Sequence, residues 1–363
     1  MERSAISIDG AGMSLGGMRM EGGKAWVKAR HQIVHDVIRY PARLFLFLLY
    51  GLRVERYRSR RGSGPFLILC NHTTPLDPVC LGTSFDFPVY YVASDHIFRL
   101  GWLSRMLVWL VAPIPIVKSR LDLQTIKDTM TVLRQGGSGC LFPEGNRNYN
   151  GESVGFSQAT AKLAKRLGVP LLLYRFEGGY FTAPRWADTV RRGRLAGRVV
   201  REVSVEEMAV MTVGELHGLI RRELQVDAYD GQSANPVRYR GKRLAESLER
   251  MLYLCPRCHG MATLKTVGDT VSCGCGLEAR YTEYGFLEPA GRAGQAFGTV
   301  LEWDRWQKRA LAQWLRDRLE QVGGKPLLEE GGLRLYTCGR AGNQRLAGRG
   351  RLALRQDSFR FIG

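Results

Sequence analysis

The chain has 363 residues, 45% of them apolar, and carries 53 Lys and Arg against 34 Asp and Glu, a formal net charge of +19. That length allows two or three domains and that apolar share builds a real core, which excludes a chain made only of solvated tail. The charge implies anionic partners, and nucleic acid and lipid headgroups both qualify.

Residues 1–28 are expected to be a disordered tail. The first 24 hold no apolar run of a secretory signal, and Met13, Met18 and Met20 offer later starts. Residues 29–60 read as a membrane-docking helical segment. The apolar run Leu44–Tyr50 is flanked by Arg39, Arg43, Arg53, Arg56 and Arg58. It is far too short to span a bilayer, which takes about 20 residues. A helix lying in the interface is the preferred reading and a buried core helix the alternative. Residues 100–110, with Trp102, Leu103, Met106, Leu107, Trp109 and Leu110, pose the same choice evenly.

Between 61 and 235 strand and helix patterns alternate. Strands are expected at 65–70, 88–93, 113–117, 139–142 and 170–176, and a hairpin-like stretch at 193–204. Helices are expected from Asp122 to Gln135, over 157–167 and from Thr212. Alternation of this kind predicts an α/β layered domain with a mixed sheet flanked by helices.

Three loops in this region carry chemistry. After the first strand comes Asn-His-Thr-Thr-Pro-Leu-Asp-Pro (71–78). Pro75 and Pro78 suit the first turn of a helix, with Thr74 as its N-cap. His72 then stands where strand turns into helix, and Asp77 can accept one ring N–H, fix the tautomer and stabilise the imidazolium. Taken alone, this is equally a capped turn. Pro-Ile-Pro-Ile-Val-Lys-Ser-Arg (113–120) delivers Lys118 and Arg120 to a strand end, the alternative being an ordinary solvated terminus. Phe-Pro-Glu-Gly-Asn-Arg-Asn (142–148) presents Glu144 and Arg147, with Gly145 permitting an unusual dihedral or a close backbone approach. Arg147 offers a rigid fork of donors suited to phosphate. A surface turn with an ion pair is the bland alternative. Gly151-Glu-Ser-Val-Gly155 matches G-x-S-x-G, but Glu144–Gly151 separate it from the preceding strand, so the tight elbow that motif needs is missing.

Together the loops are specific. The chain resembles the glycerolipid acyltransferase family, whose bacterial type acylates 1-acylglycerol 3-phosphate. The family's His-x4-Asp is matched by His72 and Asp77, its strand-ending Arg by Arg120, and its Phe-Pro-Glu-Gly-Thr-Arg-Ser by Phe142, Pro143, Glu144, Gly145 and Arg147. Its Val-Pro step into a buried strand is matched by Val169-Pro170. Asn146 and Asn148 replace the usual Thr and Ser, which touches acceptor identity more than the reaction. The resemblance covers about residues 30–230. It implies a glycerol-3-phosphate acyltransferase-like fold and a mechanism without an acyl-enzyme or catalytic cofactor. His72 takes the acceptor's proton, Asp77 orients His72, and the alkoxide attacks the thioester of acyl-CoA or acyl carrier protein. Arg120 and Arg147 hold the phosphate of a lysophospholipid, and Glu144 orders the pocket. A phospholipid-precursor enzyme works at an anionic membrane surface, so the implied location is peripheral, on the cytoplasmic face.

A polar stretch at 231–240 is read as a linker and 242–252 as a short helix. Cys255-Pro-Arg-Cys258 is followed after fourteen residues by Cys273-Gly-Cys275. Two close thiolate pairs bridged by a hairpin predict a zinc ribbon over 242–290, with a structural, four-sulfur zinc. His259 is a spare ligand, and a redox disulfide is the alternative for a lone C-x-x-C. Cys70, Cys80, Cys140 and Cys338 read as buried thiols of a reducing compartment. Residues 300–363 are expected to be a helix (303–319) with a Trp stripe, then a β-rich segment (327–362) that stops in mid-pattern, as a fragment of a larger module would. The spread of the basic residues and the absence of an aromatic stacking platform argue against nucleic acid. A lipid-binding scaffold and a thioesterase remain as other readings.

Overall fold

Runs of apolar residues with almost no polar interruption form the centre of a seven-stranded sheet. The computed structural model describes residues 24–59, 64–94, 97–98, 101–116, 123–290, 297–322, 325–338, 344–355 and 357–363. In chain order the first part comprises α1 (Ala29–Tyr50), β1 (Leu52–Val54), β2 (Leu67–Cys70), α2 (Asp77–Gly82), β3 (Val89–Ser94), α3 (Trp102–Val111), β4 (Ile114–Ile116) and α4 (Leu123–Arg134). It continues with β5 (Ser138–Leu141), α5 (Ala159–Leu167), β6 (Leu171–Glu177), α6 (Gly179–Thr182), β7 (Leu195–Val203), α7 (Val205–Val210), α8 (Val213–Leu224) and α9 (Ala228–Ala234). The strand order is β1-β7-β6-β2-β5-β3-β4. Only the β6–β7 pair is antiparallel. The mixed α/β expectation therefore holds, with parallel pairing dominant.

Both faces of the sheet are covered, which is why β2, β5 and most of β6 read as continuous apolar runs. Successive side chains go to opposite faces. Ile68 and Cys70 pack with Leu46 and Tyr50 of α1 and with Cys80 and Leu81 of α2. Leu67 and Leu69 pack with Leu133 of α4, Ala161 and Ala164 of α5, and Leu216 and Ile220 of α8. Helix α8 starts in a capping box between Thr212 and Glu215.

Several expectations are corrected. Residues 24–28 are not tail: Trp26 is buried with Tyr90, Ile114 and Val132, and its N–H, like that of Val27, donates to Gln135 Oε1. Residues 1–23 lie outside the described residues. The docking segment does not stay helical to 60. Helix α1 stops at Gly51, and β1 then joins the sheet as an edge strand parallel to β7. Gly51 has φ 71°, and a Cβ there would collide with the carbonyl of Gly193, so only glycine fits this joint. Its N–H closes the helix on Phe47 O at 2.9 Å.

The stretch 235–240 runs against the sheet domain. Arg240 and Arg192 exchange backbone hydrogen bonds of 2.9 Å, and Tyr239 is buried. The helix expected over 242–252 is a series of turns ending in one 3-10 turn, Leu248–Arg250. Positive φ at Arg243 (57°) and Ser247 (74°) breaks any α-helix there. Four antiparallel strands follow, β8 (Leu264–Val267), β9 (Thr270–Cys273), β10 (Glu278–Tyr281) and β11 (Leu287–Pro289), in the order β11-β10-β9-β8. Then come α10 (Val300–Val322) and a three-stranded antiparallel sheet of β12 (Leu328–Cys338), β13 (Gln344–Leu354) and β14 (Phe359–Ile362). One core joins Tyr180, Phe181 and Trp186 of the sheet domain to Leu252, Val271, Tyr281 and Trp303 beyond it.

Candidate active site

The strand end at Cys70 releases the chain into the loop that carries His72, and Asn71 fixes the exit. Its side chain pairs with the backbone of Phe176 in β6, accepting from N at 2.7 Å and donating to O at 2.9 Å. Helix α2 then begins at Asp77, with Leu76 and not Thr74 at the N-cap position. Instead, Thr74 serves the carboxylate. Asp77 is fully buried and accepts from Thr73 N (2.6 Å), Thr74 N (2.9 Å) and Thr74 Oγ1 (2.6 Å). These donors satisfy a buried charge that would otherwise be costly. The same carboxylate reaches His72 Nδ1 at 2.9 Å. With Nδ1 held there as donor, Nε2 is left as the basic nitrogen. The ring is partly exposed and lies against Phe142, with centroids 4.5 Å apart.

Glu144 sits at the end of β5 and ties two distant loops together. One oxygen accepts from His72 N at 3.1 Å and the other from Val154 N at 2.8 Å. Burial pushes its carboxyl up to about 7, against the two backbone N–H bonds that favour the charged form. Gly145 adopts φ 69° with open space where a Cβ would stand. Its backbone conformation, and not a close approach, is what asks for glycine. Asn148 N donates to His72 O at 3.1 Å, so the Arg147 loop is fastened directly to the histidine loop.

Arg147 is half-buried, and burial, followed by the nearby Arg185 guanidinium, holds its pKa below the ordinary arginine value. Arg185 Nη1 donates to Arg147 O at 3.3 Å, and its guanidinium lies 4.4 Å from the Tyr149 ring centroid. Two cations side by side make a place for an anion. Arg185 follows Pro184 and no local pattern announces it; only the fold brings it to Arg147. Tyr50, at the end of α1, is a second missed neighbour, bonded to the Thr74 side chain and electrostatically linked to Arg147. Lys118 and Arg120 fall outside the described residues. Ser153 of the G-x-S-x-G match has its hydroxyl engaged by Val226 N at 2.9 Å, which agrees with setting it aside as a nucleophile.

The four cysteines converge. The sulfurs of Cys255, Cys258, Cys273 and Cys275 all lie within 4.8 Å of one another. Cys255 to Cys275 and Cys258 to Cys273 are each 3.7 Å. Zinc–sulfur bonds of about 2.3 Å in a tetrahedron put sulfurs roughly 3.8 Å apart, so the set fits that ion. The hairpin of β8 and β9 connects Cys258 to Cys273. Cys70, Cys80 and Cys140 are buried free thiols. The side chain of Cys338 lies outside what is described.

Helices α1 and α3 present apolar side chains to solvent. Ile33, Val37, Leu44, Phe45 and Leu48 of α1 are 58–67% exposed, and Trp102 and Trp109 of α3 are 70% and 54% exposed. Among the described residues no helix is long and apolar enough to cross a membrane.

Comparison with known proteins finds similarity to acyltransferases. Residues 51–173 match the family model described as Acyltransferase. The chain is 26% identical over 150 residues to the 1-acyl-sn-glycerol-3-phosphate acyltransferase LPAT1, chloroplastic, of Arabidopsis thaliana, covering 39% of this chain and 40% of that protein. It is 26% identical over 204 residues to the 1-acyl-sn-glycerol-3-phosphate acyltransferase alpha of Mus musculus, covering 50% and 68%. A solved structure, the 1-acyl-sn-glycerophosphate (LPA) acyltransferase PlsC from Thermotoga maritima, aligns with a TM-score of 0.45 and 17% identity over 57% of this chain and 82% of that one. The chain spans about two-fifths of the length of the plant relatives it matches. Both the His72–Asp77 loop and the Glu144–Arg147 loop fall inside the matched segment, and these sequence likenesses support an acylglycerol-phosphate acyltransferase-like family for the chain.

Proposed function

We propose that this enzyme moves a fatty acyl group from acyl-CoA or acyl carrier protein to the free hydroxyl of 1-acylglycerol 3-phosphate, giving phosphatidate. The observation that carries the reading is the 2.9 Å bond between His72 Nδ1 and a fully buried, multiply bonded Asp77. In this role Nε2 of His72 removes the hydroxyl proton. The oxygen attacks the thioester carbon while Asp77 stabilises the imidazolium, and the carbon–sulfur bond then breaks as the leaving thiolate takes that proton from His72 and departs as the thiol. Arg147 with Arg185 neutralises the acceptor phosphate, and Arg120 and Lys118 join them on the strength of the sequence motif. Glu144 fixes the backbone on which His72 is mounted. A structural zinc in the cysteine cluster and attachment of α1 and α3 to an anionic, cytoplasm-facing bilayer surface complete the reading. The exposed apolar faces and the net charge of +19 support the attachment.

The test is acyl transfer by the full chain with labelled acyl-CoA or acyl carrier protein and a panel of acceptors, read by mass spectrometry. His72→Ala should lower kcat by about 10²–10⁴-fold with folding intact, as removal of a general base does. Arg147→Ala should weaken phosphate-bearing acceptors far more than neutral ones. A fully active His72→Ala enzyme removes the base and with it the mechanism.

A further inference from the structure

The bond between Glu144 and Val154 N is only as secure as residues 148–155, and those residues are held from outside the matched domain. Asn150 Nδ2 donates to Asp304 Oδ2 at 2.9 Å. The Arg305 guanidinium lies 2.8 Å from Glu152 and 3.7 Å from Asp227. Asp304 is buried, and its carboxylate also receives Gln307 Nε2 (3.0 Å) and Lys308 Nζ (2.6 Å). Gln307 is anchored in turn on the approach to the cysteines. Its Oε1 accepts from Tyr253 N at 3.0 Å, and its Nε2 donates to Met251 O at 2.9 Å. Trp303 Nε1 donates to Leu254 O at 2.9 Å, one residue before Cys255. On the loop side, Asn150 Oδ1 accepts from Glu152 N at 3.0 Å, and Gly151 O and Ser153 N bond Ala228 N and Val226 O at 2.9 Å.

We propose that α10 and the cysteine module form a positioning brace for the active site. Asp304 and Arg305 hold Asn150 and Glu152, which sets Val154 N beneath Glu144 and so fixes the loop that carries His72. The inference rests on the acyl-transfer reading of that site. It gives a purpose to the part of the chain that lies beyond the matched segment 51–173. Exposed ion pairs such as Glu152–Arg305 add little to stability. A displacement of about 1 Å at a catalytic group, by contrast, lowers rate by roughly 100-fold. The brace therefore acts on rate before it acts on folding.

The experiment uses the full chain with Arg305→Glu, Glu152→Arg, the double exchange, and His72→Ala as a benchmark. Acyl transfer and hydrogen exchange at the amides of 149–154 are measured together. Arg305→Glu should lower kcat about tenfold, leave the KM for the acyl donor unchanged and speed exchange at Val154, with an unchanged melting temperature. The double exchange should recover most of the rate and slow the exchange again. Wild-type kcat and exchange in Arg305→Glu, or a double exchange as impaired as Arg305→Glu, overturns the brace. So does a loss of rate that merely follows a fall in melting temperature. If His72→Ala is active, the acyl-transfer reading fails instead, while exchange at Val154 still reports whether Arg305 holds the loop.

Discussion

Glu144 is a buried acid whose two oxygens each hold a backbone N–H. Its carboxyl is raised to about 7 from an ordinary 4.5, with burial as the main cause. In the folded chain it therefore binds a proton between about pH 4.5 and 7 that the unfolded chain has already released. Stability from this group is present below about pH 4.5 and is lost as pH rises through 7. Urea unfolding of wild type and Glu144→Gln across pH 4–8 should show the wild type losing ground to the variant by on the order of 1–3 kcal/mol over that window. A constant difference at all pH values would put the shifted proton elsewhere. His72, Asp77, Glu144 and Arg147 were all legible, because each motif sits on a strand end where short spacing translates directly into proximity. Arg185 and Tyr50 were not. They reach the site through tertiary packing across 38 residues to Arg147 in one case and at the end of α1 in the other, and sequence spacing carries no trace of either.

Among the elements, α1 has the least ordinary surface. Leu46 and Tyr50 face the sheet, while Leu44, Phe45, Phe47 and Leu48 are 41–60% exposed. An apolar face left in solvent marks a surface for something apolar. Leu44→Ser with Leu48→Ser should therefore weaken binding to anionic vesicles, read by sedimentation, by about 100-fold or more, since each buried apolar side chain contributes roughly 1.5–3 kcal/mol. Acyl transfer to a soluble short-chain acceptor should be unaffected. Vesicle binding that is unchanged would assign the face to another partner. The buried strands were easy to read, because parallel strands covered on both faces are uniformly apolar. Strand β1 escaped because it has three residues and its partner, β7, begins at Leu195. A pairing that distant leaves no local pattern. The turns at 242–252 mimic a helix in sequence because their apolar residues fall at helical intervals, while the left-handed residues Arg243 and Ser247 that break it are not glycines.

On the scale of the whole molecule, the cysteine module and α10 are built onto the sheet domain through a core shared with Tyr180, Phe181 and Trp186 and not hung from a linker. The four cysteines of that module should take up about one zinc per chain by metal analysis. Stripping the metal with a chelator, or Cys258→Ser, should lower the melting temperature by several degrees, because binding free energy at such sites is folding free energy. Protein that is metal-free and equally stable would leave the sulfur cluster without an ion. The joint at Gly51 carries one more implication. The apolar-faced helix α1 and the edge strand β1 meet there with no spacer, and the carbonyl of Gly193 closes the gap a side chain would fill. Such a connection has no swivel. If α1 docks on a bilayer as proposed, the height and tilt of the His72 loop above the headgroups are set by the backbone itself. In that arrangement a lipid substrate would rise to meet a fixed opening, the opening being unable to dip to find it.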